Sequence, residues 1–302
     1  MAKCIAFHSY KGGTGKTTIA SNCAAVLTKR GYKVALLDLD VYAPSLYAYF
    51  GKEPRKWLND YLQGDADVED VMVDATDTVR EYAKGDMAGG DGRLWIGMCS
   101  MKKEEVYKME SNSLEGSRSQ LRRFILLREQ LISNYSPDYI MIDTSPGIRY
   151  WSINALAVAD ALLLTLKVGE IDIDGTNRLA SEIYSSLTKY GAKSFLLLNR
   201  VAGYCVPDAA FAGGKQQQHD SNDNAHHHHH QHHNDDAAGR GGAGYDPAGL
   251  ISGKTGMQVI TSIPCYCDIQ FSSKEFLTAL VQPGHPFARQ IENLIEAMRL
   301  KV

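Results

Sequence analysis

Neither sign of charge dominates this chain of 302 residues, in which 32 Lys and Arg stand against 35 Asp and Glu for a formal net charge of −3. A molecule so balanced is no general trap for polyanions, so nucleic acid would have to be met by a local basic face. Long hydrophobic runs are lacking too. The longest, ADALLLTLKV at 159–168, is too short to span a bilayer. The opening MAKCIAFHSYKGG holds only a brief apolar run before polar residues resume, unlike a secretory signal. The six cysteines are scattered and mostly sit inside apolar segments, so they form no disulfide framework and read as reduced thiols. A cytoplasmic protein is expected.

What is present is ordinary for a globular protein: 44% hydrophobic and 22% charged residues, in a length that can bury a sizeable core. Six apolar runs read as strands: KCIAFHS, KVALLDLD, DYIMIDTSPG, DALLLTLKV, KSFLLLNR and MQVITSIP. They are near-continuous, as parallel strands covered on both faces must be. Segments of helical period separate most of them, including KTTIASNCAAVLTKRG, DGTNRLASEIYSSLTKYG and PFARQIENLIEAMRL. The pattern predicts an α/β fold, a doubly wound and mostly parallel sheet flanked by helices, in a single domain over 1–302. Residues 85–92, GDMAGGDG, read as a surface loop. Residues 213–244 are His-rich, of low complexity and nearly free of apolar side chains; they predict a disordered insertion between two strands.

The chemistry is concentrated at HSYKGGTGKTT, residues 8–18, between the first strand and the first helix. Gly12, Gly13 and Gly15 let the backbone turn tightly and aim N–H groups at phosphate oxygens, and the helix beginning near Lys16 adds its positive end. Lys16 is expected to reach the β- and γ-phosphates and Thr17 to place its hydroxyl on Mg²⁺; Thr14 and Thr18 complete the run. The eight-residue pattern G-x-x-x-x-G-K-[ST] is not fully met. Its first glycine would fall on Tyr10, and Lys11 follows. Asp38 and Asp40 end the second strand on one side of it.

KGGTGKTT resembles the altered phosphate-binding loop of the MinD/ParA ATPases, in which the additional lysine is the signature. The later motifs follow in that family's order: Asp-x-Asp at 38–40, Asp143 with Thr-Ser-Pro-Gly, Asn199 and Ile-Pro at 263–264. The resemblance implies a slow, partner-stimulated ATPase using ATP and Mg²⁺, and a face-to-face homodimer in the ATP state. It implies that Lys11 reaches the phosphates held by the other subunit. The alternative for Lys11 is a surface lysine that only raises local positive potential. By the same resemblance Asp38 and Asp143 hold Mg²⁺ through water, and Asp40 orients the attacking water. A solvated strand end is the alternative for the two aspartates of the second strand. Gly147 could offer its N–H to the γ-phosphate. Asn199, with Arg200, reads the adenine edge, and the backbone at Pro264 wraps the base. NRVA at that strand end lacks the Asn-Lys-x-Asp guanine motif, so ATP is preferred to GTP. Cys265-Tyr266-Cys267 departs from the family's usual tripeptide.

The biological role is less determined, since one such engine serves many cargoes. Spatial positioning or partition, with an unidentified protein activator or cargo, is the first reading. A metal-centre maturation ATPase serving nickel enzymes is the second, because His226–His230 with His219, His232 and His233 could bind Ni²⁺ or Zn²⁺. A solvated polar insert is the simpler account of that tract, and two ordinary thiols the simpler account of Cys265 and Cys267. A partition protein binding DNA non-specifically is the third. Arg118, Arg122, Arg123 and Arg128 on SRSQLRRFILLREQL could form a basic face, although a solvated helix face accounts for them as well. In the last helix Phe287, Ile291, Leu294, Ile295 and Met298 share a face suited to docking on the sheet, and no direct membrane anchor is expected.

Overall fold

The alternation of buried side chains along the strands generates two cores, one on each face of a single sheet. Ile5 and Phe7 pack into one, while Cys4 and Ala6 pack into the other. Val34 and Leu36 likewise oppose Ala35, Leu37 and Leu39. A computed structural model describes residues 2–88, 90–100, 102, 104, 114–189, 191–201, 247–270, 274 and 276–302. The strands are β1 (Lys3–His8), β2 (Lys33–Leu39), β3 (Met72–Asp74), β4 (Arg93–Met98), β5 (Tyr139–Thr144), β6 (Ala161–Leu166), β7 (Lys193–Val201) and β8 (Gln258–Pro264). Their order across the sheet is β3-β4-β2-β5-β1-β6-β7-β8. Every pairing is parallel except that of β3 with β4. The doubly wound, mostly parallel α/β sheet foreseen from the sequence is the fold observed.

Strands β3 and β4 are not among the six apolar runs. β3 has three residues, too few for a pattern, and β4 is opened by Arg93 and interrupted by Gly97. Packing accounts for that glycine: a Cβ there would lie 2.8 Å from Met72 Sδ and within 3.2 Å of Leu37 and Leu58. Among the described residues of 85–92 there is neither helix nor strand, as expected of a loop. The His-rich stretch 213–244 lies outside the described residues. The strands on either side of it, β7 and β8, are parallel neighbours.

The first helix, α1 (Lys16–Lys29), is buried almost all round. Ile19, Cys23, Val26 and Leu27 meet the sheet, and the last helix (Pro286–Lys301) lays Phe287, Ile291, Leu294, Ile295 and Met298 into the same core. Of the polar atoms of α1 that this covers, Asn22 accepts from Ala279 N–H at 2.9 Å and Thr28 donates to Ala24 O at 2.8 Å, while Ser21 Oγ is buried without a hydrogen-bond partner among the described residues. Among the described residues no helix is long and apolar enough to cross a membrane.

The helical stretch after β6 is not the single helix its period predicts. It runs as a helix over Glu170–Leu179, a π-helical turn over Ala180–Tyr184 and a short helix over Ser185–Lys189. The wider turn buries the Tyr184 ring completely, 6.3 Å from the ring of His8 at the end of β1. Nine residues before Tyr184, in the helix Glu170–Leu179, Gly175 packs against the Tyr10 ring. A Cβ on Gly175 would come within 2.0 Å of the Tyr10 ring, so only glycine admits this contact. The phosphate-loop sequence is thereby pinned to a helix on the opposite side of β1.

This contact is testable because helix propensity argues the other way. Alanine is favoured over glycine inside a helix by about 1 kcal/mol, yet Gly175→Ala should destabilise the protein by about 1–3 kcal/mol through overpacking against Tyr10. Combining it with Tyr10→Ala should recover part of that loss. Thermal unfolding of both singles and the double checks it, and strict additivity would show that the ring and the helix are not in contact.

Candidate functional site

In a parallel pair, residues in register point their side chains to the same face. β2 and β5 are registered with Asp38 opposite Asp143, so two carboxylates stand side by side at the carboxyl ends of neighbouring strands. Both are fully buried. Burial raises the pKa of each. For Asp38 the neighbouring Asp143 adds to the rise; for Asp143 the Lys16 ammonium and the Thr17 hydroxyl pull back. Asp38 is further held by three backbone N–H donors: Asp40 N to Oδ1 at 3.0 Å, and Ser45 N and Leu46 N to Oδ2 at 2.7 and 3.1 Å. Thr17 donates its hydroxyl to Asp143 Oδ2, while Asp143 Oδ1 is buried with no hydrogen-bond partner among the described residues.

Above this pair passes the glycine loop. Gly13 and Gly15 take φ of 69° and 90°, left-handed values that other side chains resist. Gly15 is the N-cap residue of α1, whose first turn contains no acidic side chain. Lys16 is buried at that positive helix end, and its Nζ donates to Ser9 Oγ at 3.0 Å. Ser9 in turn donates to Lys11 O at 2.7 Å, fixing the carbonyl of the additional lysine. The Lys11 side chain is half-buried and has no ion pair among the described residues. Beneath the loop, Thr144 donates to Phe7 O, so its hydroxyl oxygen accepts from His8 Nδ1 at 2.7 Å. His8 is therefore the Nδ1–H tautomer, and burial with Lys16 nearby pushes its pKa down to about 3.

Two further loops close the sides. Asp40 accepts from Ser145 Oγ at 2.9 Å and, more weakly, from Tyr42 N and Ala43 N, both at 3.3 Å. Gly147, with φ of 77°, donates its N–H to Ser9 O at 2.8 Å, so the donor expected for a γ-phosphate has a protein partner here. Gly12, Gly13, Gly15, Lys16, Thr17 and Thr18 form one wall of a cleft of about 440 Å³ that Asp40, Tyr42, Pro146, Arg149 and Arg200 also line. Thr18 is paired with Tyr49 at 2.8 Å across its floor.

A smaller hollow of about 110 Å³ adjoins the cleft, lined by Gly15, Thr18, Asn199, Arg200, Pro264 and Tyr266 among others. A register irregularity between Asn199 and Val201 in β7 puts Arg200 at φ 56° and turns Asn199 toward the loop. Asn199 Nδ2 donates to Thr14 O at 2.7 Å, and its Oδ1 accepts from Arg200 N at 2.9 Å. Each group retains capacity for one more hydrogen bond, which is what reading a base edge requires. The expected residues thus converge from the ends of β1, β2, β5, β7 and β8. Ser9, Ser145, Tyr42, Arg149 and Tyr266 join them without having been assigned a role from the sequence. Ser9 and Ser145 lie inside the quoted motifs, but a serine in a loop carries no pattern that distinguishes it from a turn residue.

Other expectations divide. The arginine helix, Leu114–Tyr135, is not a uniform basic face. Arg128 donates to Val158 O at 2.6 Å and to both oxygens of Asp160 at 2.8 and 3.0 Å, so it is a structural clamp. Arg123 is packed against Gly64, and Arg122 is exposed; the Arg118 side chain lies outside what is described. Cys265 Sγ pairs with Gln270 Oε1 at 3.5 Å. Among the described residues no group of three or more His, Cys, Asp or Glu could hold a metal ion. The tract from His219 to His233 falls outside them.

Comparison with known proteins agrees with this geometry. The model of a family described as an AAA domain matches residues 2–194. An uncharacterized ATP-binding protein of Methanocaldococcus jannaschii is 30% identical over 64% of this chain and 69% of its own length. The sporulation initiation inhibitor protein Soj of Bacillus subtilis is 29% identical over 61% of this chain and 64% of its own. A relative in Rhizobium rhizogenes is 31% identical over 63% of this chain, which spans only 46% of that protein's length. Among solved structures, the cell division ATPase MinD of Pyrococcus furiosus superposes with a TM-score of 0.68 at 20% identity, covering 100% of both chains. The septum site-determining protein MinD of Pyrococcus horikoshii, complexed with Mg-ADP, gives 0.67 at 20% identity, covering 99% of this chain and 96% of that one. The match over residues 2–194 places the chain in the AAA-domain family, and its glycine loop over paired strand-end carboxylates stands on the fold of the MinD structures.

Proposed function

We propose that this protein is a Mg²⁺-dependent ATP-binding and ATP-hydrolysing switch, whose nucleotide state governs its association with a second copy and with a protein activator or cargo. The observation that carries the reading is the Asp38–Asp143 pair, in register beneath a glycine loop that presents Lys16 and Thr17. The donor set fits a hard divalent cation: carboxylate and hydroxyl oxygens, with Asp143 Oδ1 buried and unpartnered among the described residues. Thr17, Asp38 and Asp143 would hold Mg²⁺, directly or through water. When bound, it neutralises charge on the phosphates.

The chain's own residues do the rest. Backbone N–H groups of Gly12, Gly13 and Gly15 and the start of α1 receive phosphate oxygens, and Lys16 sits where they converge. Asp40, braced by Ser145 at 2.9 Å, is the residue that orients water toward the terminal phosphate. Asn199 and the backbone at Pro264 take the base, which makes ATP the substrate; the compartment we propose is the cytoplasm. Exposed Ile148 and Tyr150 follow Gly147 and, with Lys11, which has no ion pair among the described residues, support an association face over the phosphates. Spatial positioning or partition is the biological role this reading favours. We also read residues 1–302 as one ATPase unit, with 213–244 inserted between two neighbouring parallel strands.

The buried acids set a stability prediction. A carboxyl whose pKa is raised on folding stabilises the protein below the unfolded value of 3.8 and loses that contribution as pH rises through the folded value. At pH 8 without metal or nucleotide, Asp143→Asn should therefore melt a few degrees above wild type. Added Mg²⁺ with nucleotide should raise the melting temperature of wild type and much less that of the variant. A variant that melts lower at pH 8 and gains equally from both would remove Asp143 from the metal site.

Three variants test the switch. Lys16→Ala should lose affinity for a labelled ATP analogue. Lys11→Ala should keep that affinity, yet remain monomeric in sedimentation with a non-hydrolysable analogue. Asp40→Ala should bind ATP and hydrolyse it on the order of 10² slower or more. Dimerisation of Lys11→Ala equal to wild type would reject the two-subunit site, and equal competition by GTP would reject the adenine reading.

A further inference from the structure

Arg149 is a cation for which neither the strand-end carboxylates nor the glycine loop accounts. It caps the helix Tyr150–Ala157, two residues after Gly147, and its side chain is exposed. Its guanidinium lies over an aromatic ring. The Cζ atom lies 4.9 Å from the centroid of the Tyr42 ring, in the loop after β2. Tyr42 in turn leans on the buried Trp151 ring at 5.6 Å. The cation thus lines the same cleft as Lys16, Thr17 and Asp40. Among the described residues it has no ion pair. A stacked guanidinium keeps its in-plane N–H donors unspent, and these match the oxygens of a phosphate.

We propose that Arg149 is a nucleotide-contacting residue of this site, directed at the terminal phosphate of ATP bound in the same chain, with the Tyr42 ring as its support. The inference rests on the ATPase reading above and adds to it the group that distinguishes ATP from ADP. In hydrolysis the water oxygen bonds to the γ-phosphorus and the bond to the β–γ bridging oxygen breaks, yielding ADP and inorganic phosphate, with the water's proton passing to phosphate or solvent. The guanidinium takes no proton. It donates N–H hydrogen bonds to phosphate oxygens as charge shifts toward the leaving group. Because Arg149 and Tyr42 belong to the loops after β5 and β2, the contact would also draw those two loops onto the terminal phosphate. ADP, lacking that phosphate, cannot do so.

The test compares Mg-ATP-analogue and Mg-ADP affinities, measured by titration with fluorescent nucleotides, and single-turnover hydrolysis, in wild type, Arg149→Gln and Arg149→Lys. Arg149 is exposed, so its variants should fold, and thermal unfolding checks that they do. Arg149→Gln is expected to lose about tenfold to a hundredfold in ATP affinity or single-turnover rate, with ADP affinity unchanged. Arg149→Lys, which keeps the charge but not the planar fork, should fall between. Equal losses for ATP and ADP, as from a merely structural clamp, or no loss in any of the three quantities, would overturn the assignment. If wild type binds neither nucleotide with Mg²⁺, the ATPase reading fails and this one falls with it; if only Arg149 proves silent, the ATPase reading stands.

Discussion

Two carboxylates held side by side in a parallel sheet must be answered by something, because register and burial leave them no way apart. Asp38 and Asp143 are opposed in β2 and β5 and neither reaches solvent. Two such charges without partners would cost several kcal/mol each. The surrounding chain is arranged around that cost. The Asp38 carboxylate gathers the N–H groups of Asp40, Ser45 and Leu46, which folds the loop after β2 back and starts the short helix Leu46–Phe50. On the other side Lys16 lies buried at the first position of α1. A lysine there meets the positive end of the helix, which is unfavourable by itself. It is tolerable only next to anions: the carboxylates below, and phosphate above. The opposed charges explain each other, and on the function proposed above they suit a ligand that would bring both a divalent cation and a polyanion.

From that centre the loops are tied to one another. Gly147 N–H bonds Ser9 O, which links the loop after β5 to the loop after β1. Ser145 bonds Asp40, and Arg149 covers Tyr42, which link it to the loop after β2. Asn199 bonds Thr14 O, which brings in the end of β7. Four strand ends thus share hydrogen bonds through side chains and backbone groups that a nucleotide would also engage. A ligand that captures any one of these donors shifts the balance at the next. That is the physical content of a switch: differential contacts with two arrangements of the same loops.

The central part of this arrangement was legible in the sequence because it obeys simple rules. The six strands from β2 across to β8 are near-continuous apolar runs, since both faces of the sheet are covered, and the glycines, lysines and aspartates sit at strand ends where chemistry collects. What escaped notice lacks any such regularity. β3 and β4 form the sheet's edge, where three residues and a glycine-broken strand give no clean period. The helix after β6 is divided because Tyr184 must reach the interior beside His8, a tertiary demand that overrides local helical pattern. Arg128 looked like surface charge, yet its partner Asp160 is 32 residues away and also accepts from Cys4 N at 2.8 Å. Ser9 and Ser145 matter through single hydrogen bonds that no spacing announces.

Several features of the site are individually unfavourable: buried acids, a lysine at a helix start, left-handed Arg200, and a buried His8 Nε2 with no hydrogen-bond partner among the described residues. They are sustained by packing elsewhere. α1 is buried on nearly every side by the sheet and the last helix, and Tyr10 is locked against Gly175. The glycine loop is therefore a strained conformation held at both ends by packed elements: β1 and the Tyr10 contact before it, and α1 after it. Rigidity at the ends is what lets strained backbone persist between them. It also limits where motion can go. The loop's anchors are packed, whereas the segments after β2 and β5 carry exposed Tyr42, Ile148, Arg149 and Tyr150. Any rearrangement on ligand binding should be borne by those two segments, whose contacts with the loop are a few hydrogen bonds and one cation–aromatic contact.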